Sequence, residues 1–226
     1  MQDKDLAIVV AFDPGGTTGW CALGVEPQAL TGLGPEGPLQ DYIVLKEYGE
    51  IDCGARKGEI GWHSINANGE NDGVQNMLGL VTARWPKSAI VIEDFILDFK
   101  KADKTRELLS PVRLTAAFSF GLWRADPIVI GAGLERISIQ DRSNVKTTCT
   151  DERLRNWKLY DRHSGNHARD AMRHAYYFLR QRRGNTVMET ERRYFAWPHL
   201  FDDPAVPPYI NKRNKKRQQG ERVEGL

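Results

Sequence analysis

The sequence predicts an α/β domain on a mixed central sheet, an antiparallel three-strand meander extended by parallel strands and flanked by helices. Three observations predict it. Apolar, β-branched runs alternate with Gly-rich turns up to Ile51. A helical pattern then lies between two strand-like runs, the order of a parallel crossover. An amphipathic helix, HARDAMRHAYYFLRQRR, follows from His167.

In LAIVVAFDPGGTTGW (Leu6–Trp20) an apolar run ends in an acid, a tight turn follows, and WCALGV returns. This is a hairpin with Asp13 at the end of its first strand. Asp13 reads equally well as the residue that starts the turn or as a carboxylate fixed at a sheet edge for a metal. EPQALTGLGPEGPLQ reads as a surface loop, and DYIVLKEYGEI as the third strand. Residues 52–69 resist assignment and read as an inserted loop. Its Trp62 and His63 suit a partner contact or, more simply, a cover over the core edge.

Asn71 or Asp72 would cap a helix whose apolar positions are Val74, Met77, Leu78, Val81 and Trp85, with Pro86 ending it. SAIVIEDF is again a β-branched run leading into acid. A parallel crossover lays it beside the first strand, so that Asp13 and Glu93 emerge at one end of the sheet. Strand alternation turns Asp94 to the opposite face. Residues 98–106 form a charged, solvated connection. Ser110 as N-cap and Pro111 at the first helical position open the helix SPVRLTAAFSFGLWRA. ISIQDRSNVK reads as a short strand and exit loop, and TDERLRNWKLY as a short helix from Thr150 or Asp151. ERRYFAWPHLFDDPAVPPYI is aromatic and Pro-rich, and NKRNKKRQQGERVEGL is a basic tail expected to be disordered. The division expected is a folded domain at 1–183 and an extension at 184–226.

The formal net charge of +2 over 226 residues excludes a globally basic protein, although the last third is richer in Lys and Arg. Cys21, Cys53 and Cys149 are far apart and odd in number, which argues against a disulfide framework or a structural zinc site and fits a reducing cytoplasm. The first residues carry acids and only a short apolar run, unlike a signal peptide. No stretch approaches the ~20 apolar residues of a membrane span. A soluble, cytoplasmic protein is expected.

His167, Asp170 and His174 fall on one helical face. For a lone Asp near a helix start, a solvent-face role is the simpler reading. Here Ala168, Ala171 and Ala175 intervene, and small residues let a helix approach a sheet closely. Asp13, Glu93 and Asp170 would then form a carboxylate cluster, with His167 as a fourth ligand. Hard oxygen donors favour Mg²⁺ or Mn²⁺ over zinc. Two such ions about 4 Å apart suit phosphodiester hydrolysis, activating a water and stabilising the leaving oxygen.

The order of these motifs resembles the RuvC-type Holliday junction resolvases, especially phage-encoded ones, within the ribonuclease H-like superfamily. FDPGGTTGW resembles the first-strand motif and implies Asp13 as the first metal-binding acid. VIEDF resembles the segment whose Glu after the apolar run is catalytic, implying Glu93. QDRSNVK resembles the stretch that brings a Ser and a Lys toward the DNA or active site, here Ser143 and Lys146. HARDAMRHA resembles the closing helix, implying Asp170 as the last acid and His167 at a position that is Asp in some members and His in others. The 52–69 segment is longer than the pattern expects. The resemblance implies a ribonuclease H-like fold, two metal ions, a homodimer and branched DNA as substrate, in the host cytoplasm if phage-encoded.

Phosphate contacts are expected from Lys100, Lys101 and Lys104, from Arg169 and Arg173 on the last helix and Arg180, Arg182 and Arg183 beyond it, and from tail residues Lys212, Arg213, Lys215, Lys216 and Arg217. A solvated face explains about half of such charges equally well. The helix over 105–125, through Leu114, Ala117 and Phe118, suits a dimer interface or simple core packing.

Three other functions compete. D-x-G-x-T also opens the phosphate loop of sugar kinases and actin-like ATPases, but those need two such domains. A terminase-type or other branched-DNA nuclease would keep the chemistry and change the substrate. A noncatalytic junction-binding protein would leave the clustered acids without purpose.

Overall fold

The computed structural model describes residues 6–31, 37–54, 68–95, 109–125, 136–160 and 163–201. Its strands are β1 (Ala7–Asp13), β2 (Thr17–Val25), β3 (Ile43–Asp52), β4 (Ala89–Glu93) and β5 (Ile137–Gln140). They form one sheet in the order β3-β2-β1-β4-β5. The meander β1-β2-β3 is antiparallel, whereas β4 runs parallel to both β1 and β5. This is the predicted mixed sheet.

Alternation along β1 sorts the core into two layers. Ala7, Val9 and Ala11 join Cys21, Leu23, Ala89 and Val91 on one face. Ile8, Val10 and Phe12 join Trp20, Ala22, Ile90 and Ile92 on the other. Helices cover both. The second face takes α2 (Asn68–Gly79) and α3 (Ser110–Ala125) through Val74, Met77, Leu114, Phe118 and Leu122. Phe12 meets Phe118 edge to face at 5.2 Å between ring centroids, a favoured aromatic geometry.

The first face takes the amphipathic helix, which spans Asn166–Gln181, and the helix Val187–Ala196 behind it. The latter opens with a capping box between Thr186 and Glu189. Just beyond it Trp197 is fully buried and donates its indole N–H to the Ile8 carbonyl at 2.7 Å. The buried Arg193 donates to the carbonyls of Leu30, Arg182 and Gly184 at 2.6–3.0 Å, tying this segment to the start of the chain.

Several local expectations are corrected. The presumed surface loop contains a helical turn, α1 (Pro27–Leu30), with Ala29 and Leu30 buried. Helix α2 begins at Asn68, so Asn71 and Asp72 lie within it rather than at its N-cap, and it ends in a π-turn over Leu80–Arg84 before Pro86. Ser110 is the first residue of α3 rather than its cap, and its buried Oγ finds no partner among the described residues. The exit loop after β5 is a helix, α4 (Arg142–Thr148), because Asp141 accepts hydrogen bonds from the Ser143 and Asn144 N–H groups. The next helix, α5, begins at Asp151, one of the two expected starts, and runs to Asn156 with Thr150 as its cap. The long amphipathic helix is therefore α6 and the Val187–Ala196 helix α7. The readings of Trp62, His63, residues 98–106 and the tail lie outside the described residues.

Among the described residues no helix is long and apolar enough to cross a membrane. Cys21, Cys53 and Cys149 are free and buried, and burial pushes their thiols up, which makes them inert.

The contact that positions α6 is Gly19 of β2. A Cβ there would run into the His167 carbonyl and the Ala168 nitrogen. Only hydrogen at that position lets the helix start rest on the strand. Gly19→Ala is therefore expected to destabilise the fold by about 3 kcal/mol, the upper part of the overpacking range. An unchanged melting temperature would contradict this docking.

Candidate metal and nucleic-acid site

The site forms where β1, β4 and β5 end. Parallel pairing sets Phe12 against Ile92, which brings Asp13 and Glu93 side by side at the sheet edge. Both occupy the odd positions of their strands, so both point into the layer that α6 covers. Glu93 is buried and the next residue, Asp94, is exposed on the other side. From α6, Asp170 reaches down to them. One carboxylate oxygen from each of Asp13, Glu93 and Asp170 lies within 4.8 Å of the others.

Basic and polar groups surround this cluster. His167 places Nδ1 2.8 Å from Asp13 Oδ2 while its side chain stays about half exposed, 48%. Lys146 Nζ of α4 sits 2.9 Å from Asp170 Oδ2. Arg142, one turn earlier, stands 3.3 Å from Glu93 Oε1 and 3.8 Å from Asp170 Oδ2. Arg173 pairs with Asp170 and Asp151 and donates Nε–H to the Cys149 carbonyl at 3.0 Å. Its guanidinium is thus engaged inside the fold. Arg169 lies over the Tyr160 ring and donates to its hydroxyl at 2.9 Å. Ser143 is exposed at the start of α4, bonded to the Asp141 carboxylate. Arg182 is buried against the Phe178 ring. Lys100, Lys101, Lys104, Lys212, Arg213, Lys215, Lys216 and Arg217 fall outside the described residues.

Three contributors escaped the sequence reading. Arg142 was hidden because DRSNVK reads as a loop; as a helix it aligns Arg142 and Lys146 on one face. Gln140 ends β5 opposite Glu93 and meets His174. Glu50 of β3 accepts the His167 backbone N–H at 3.2 Å, serving the helix start that Gly165 leaves without a side-chain cap. A Cβ on Gly165 would collide with that carboxylate. No local pattern links residues so far apart in sequence.

Neither a protein-family model nor a curated protein matches the chain. Solved structures do. "T. thermophilus RuvC in complex with Holliday junction substrate" aligns at 12% identity and a TM-score of 0.50, covering 75% of this chain and 90% of that one. The fold is that of RuvC. A second Thermus thermophilus RuvC structure aligns at 13% identity and a TM-score of 0.47, over 74% of this chain and 90% of that one. At such identity the likeness speaks for the fold, the ribonuclease H-like architecture expected from the motifs.

The donor set fits a hard divalent cation: three carboxylates with no sulfur, converging from separate elements. Its electrostatics point the same way. Burial, and then the neighbouring Glu93 charge, push the Asp13 carboxyl from its usual 3.8 up to about 6, against the opposing pull of His167. An acid whose pKa is raised on folding contributes stability below its unfolded value and loses it as pH rises through the folded one. The window here is from about pH 4 to about pH 6. In chelator at pH 8, Asp13→Asn should therefore melt above the wild type, by a stability on the order of 1–3 kcal/mol. At pH 4 the gain should vanish. A lower melting temperature for the variant at pH 8 would contradict the raised pKa.

Proposed function

We propose that this chain is a divalent-metal-dependent endonuclease that hydrolyses branched DNA, with the four-way junction as its substrate. The observation that carries the reading is the convergence of Asp13, Glu93 and Asp170 at one sheet edge, on a fold shared with a protein solved on a Holliday junction. Asp13, Glu93 and Asp170 would hold Mg²⁺ or Mn²⁺, two ions per site, with His167 beside Asp13 as an accessory ligand. Ions bound there supply Lewis-acid activation of a water and charge stabilisation at the leaving 3′ oxygen.

The chain's own groups do the rest. Asp13, clustered with Glu93 and Asp170 and in contact with His167, would be the acid shared by both ions. The half-exposed His167 imidazole, tethered through Nδ1, would take up or release a proton at the cut. Arg142 and Lys146 face the cluster from α4, so a phosphate entering it meets two cations now resting on Glu93 and Asp170. Ser143 at the start of α4 and Arg169 on α6 would add further phosphate contacts. Lys100, Lys101, Lys104 and the basic tail would add salt-sensitive backbone contacts. Functionally, residues 1–183 would carry cleavage and 184–226 the basic arm.

Paired cuts require two sites, and a homodimer would supply them. Core packing claims Leu114 and Phe118 of α3, so the dimer proposal moves to the outer face of that helix. There Val112, Phe120 and Trp123 are exposed.

The test is cleavage of a labelled four-way junction beside linear duplex, in Mg²⁺, Mn²⁺ or chelator. Paired symmetric nicks near the crossover, only with metal, are expected. Asp13→Asn should lower cleavage by more than ~100-fold, beyond the loss typical of an outer-shell partner, while junction binding persists. Equal cutting of all substrates would move the protein to a general or terminase-type nuclease. Binding without cleavage would favour the noncatalytic reading.

A further inference from the structure

We propose that His174, steadied by Gln140, is a positioning residue that fixes the Glu93 carboxylate for metal binding; the inference rests on the metal-site reading above. His174 lies one turn beyond Asp170 on the same face of α6 and is only 1% exposed. Its Nε2 is 3.0 Å from Glu93 Oε2 and its Nδ1 is 3.1 Å from Gln140 Oε1. Gln140 is itself placed by the sheet, because β5 pairs it with Glu93. The three side chains thus form a closed chain from a strand end, through a helix, to the neighbouring strand end.

The proton positions follow from donor and acceptor chemistry. An ionised carboxylate only accepts hydrogen bonds. A neutral ring with its proton on Nδ1 would turn a lone pair toward Glu93 and be repelled. Two arrangements avoid this. Either both ring nitrogens carry protons, or the Gln140 amide is turned so that its N–H donates to Nδ1. The second also removes a buried amide nitrogen that otherwise has no partner among the described residues. In both arrangements the Nε2–H of His174 donates to Glu93 Oε2.

The carboxylate is thereby divided. Oε2 is held by a buried donor, and Oε1 faces Arg142, whose side chain is 59% exposed and free to yield its place to a cation. Glu93 would then offer one oxygen in one orientation, as outer-shell partners do for metal-ligating groups elsewhere.

Titration of the full chain with Mn²⁺ alone by calorimetry tests this, with melting temperatures measured in parallel. His174→Leu should weaken Mn²⁺ binding by about 10–100-fold. His174→Gln, which keeps an N–H near the Nε2 position, should recover most of the loss, and Gln140→Leu should fall between. Wild-type affinity in His174→Leu would overturn the proposal, as would equal losses in the Leu and Gln variants. If His174→Leu is unfolded at the assay temperature, Gln140→Leu decides, and wild-type affinity there would overturn the proposal. A wild-type chain that binds no Mn²⁺ would overturn the metal-site reading itself, an outcome separate from a wild type that binds while the variants match it.

Discussion

Parallel pairing of β1 with β4 is the constraint on which the site depends. It makes two distant strands end together, and their common register turns both terminal acids to the same face. An antiparallel pairing would have sent Asp13 and Glu93 to opposite edges of the sheet. The pairing is secured by side chains buried on both faces, Val9, Val10, Ala11 and Phe12 against Ala89, Ile90, Val91 and Ile92. Burial of apolar surface on this scale outweighs the cost of holding carboxylates at the strand ends. The third acid arrives because Gly19 and a run of alanines allow α6 to lie directly on the sheet.

The cluster so formed is under electrostatic tension. Asp13 shows it most clearly, held toward its protonated form by burial and by Glu93. Asp170 is relieved by Arg173 and Lys146, and Glu93 by His174 and Arg142. These partners divide into two kinds. Arg173 is largely covered and His174 is buried, and each is engaged on more than one side, which suits groups that hold the acids in place. Arg142 is largely exposed and Lys146 partly so, which suits groups that can release a carboxylate to a cation and turn to a phosphate. A divalent ion would relieve more charge than either can, and that difference is the physical basis for binding it.

Much of this was legible in the sequence, because two apolar runs each end in acid and a periodic helix carries the third. Strand alternation put Glu93 and Asp94 on opposite faces, the motif resemblance favoured Glu93, and the burial of the one and exposure of the other follow the alternation. What stayed hidden depends on contacts between remote residues or on a choice between two uses of one residue. Asp141 and Ser143 suit a turn, yet the same Asp side chain caps a helix, and that choice brings Arg142 and Lys146 to the cluster. The Glu50 cap on α6 joins positions 117 residues apart. Trp197, in a Pro-rich aromatic stretch without clear periodicity, is a core residue because its indole finds the Ile8 carbonyl.

The most direct test of the central claim is a crystal of the full chain soaked in Mn²⁺ and measured at the manganese absorption edge. Anomalous density within bonding distance of oxygens from Asp13, Glu93 and Asp170, with Lys146 displaced from Asp170, is the predicted result. A site without density, with Lys146 still on Asp170 at a Mn²⁺ concentration that saturates other metal nucleases, would contradict the account.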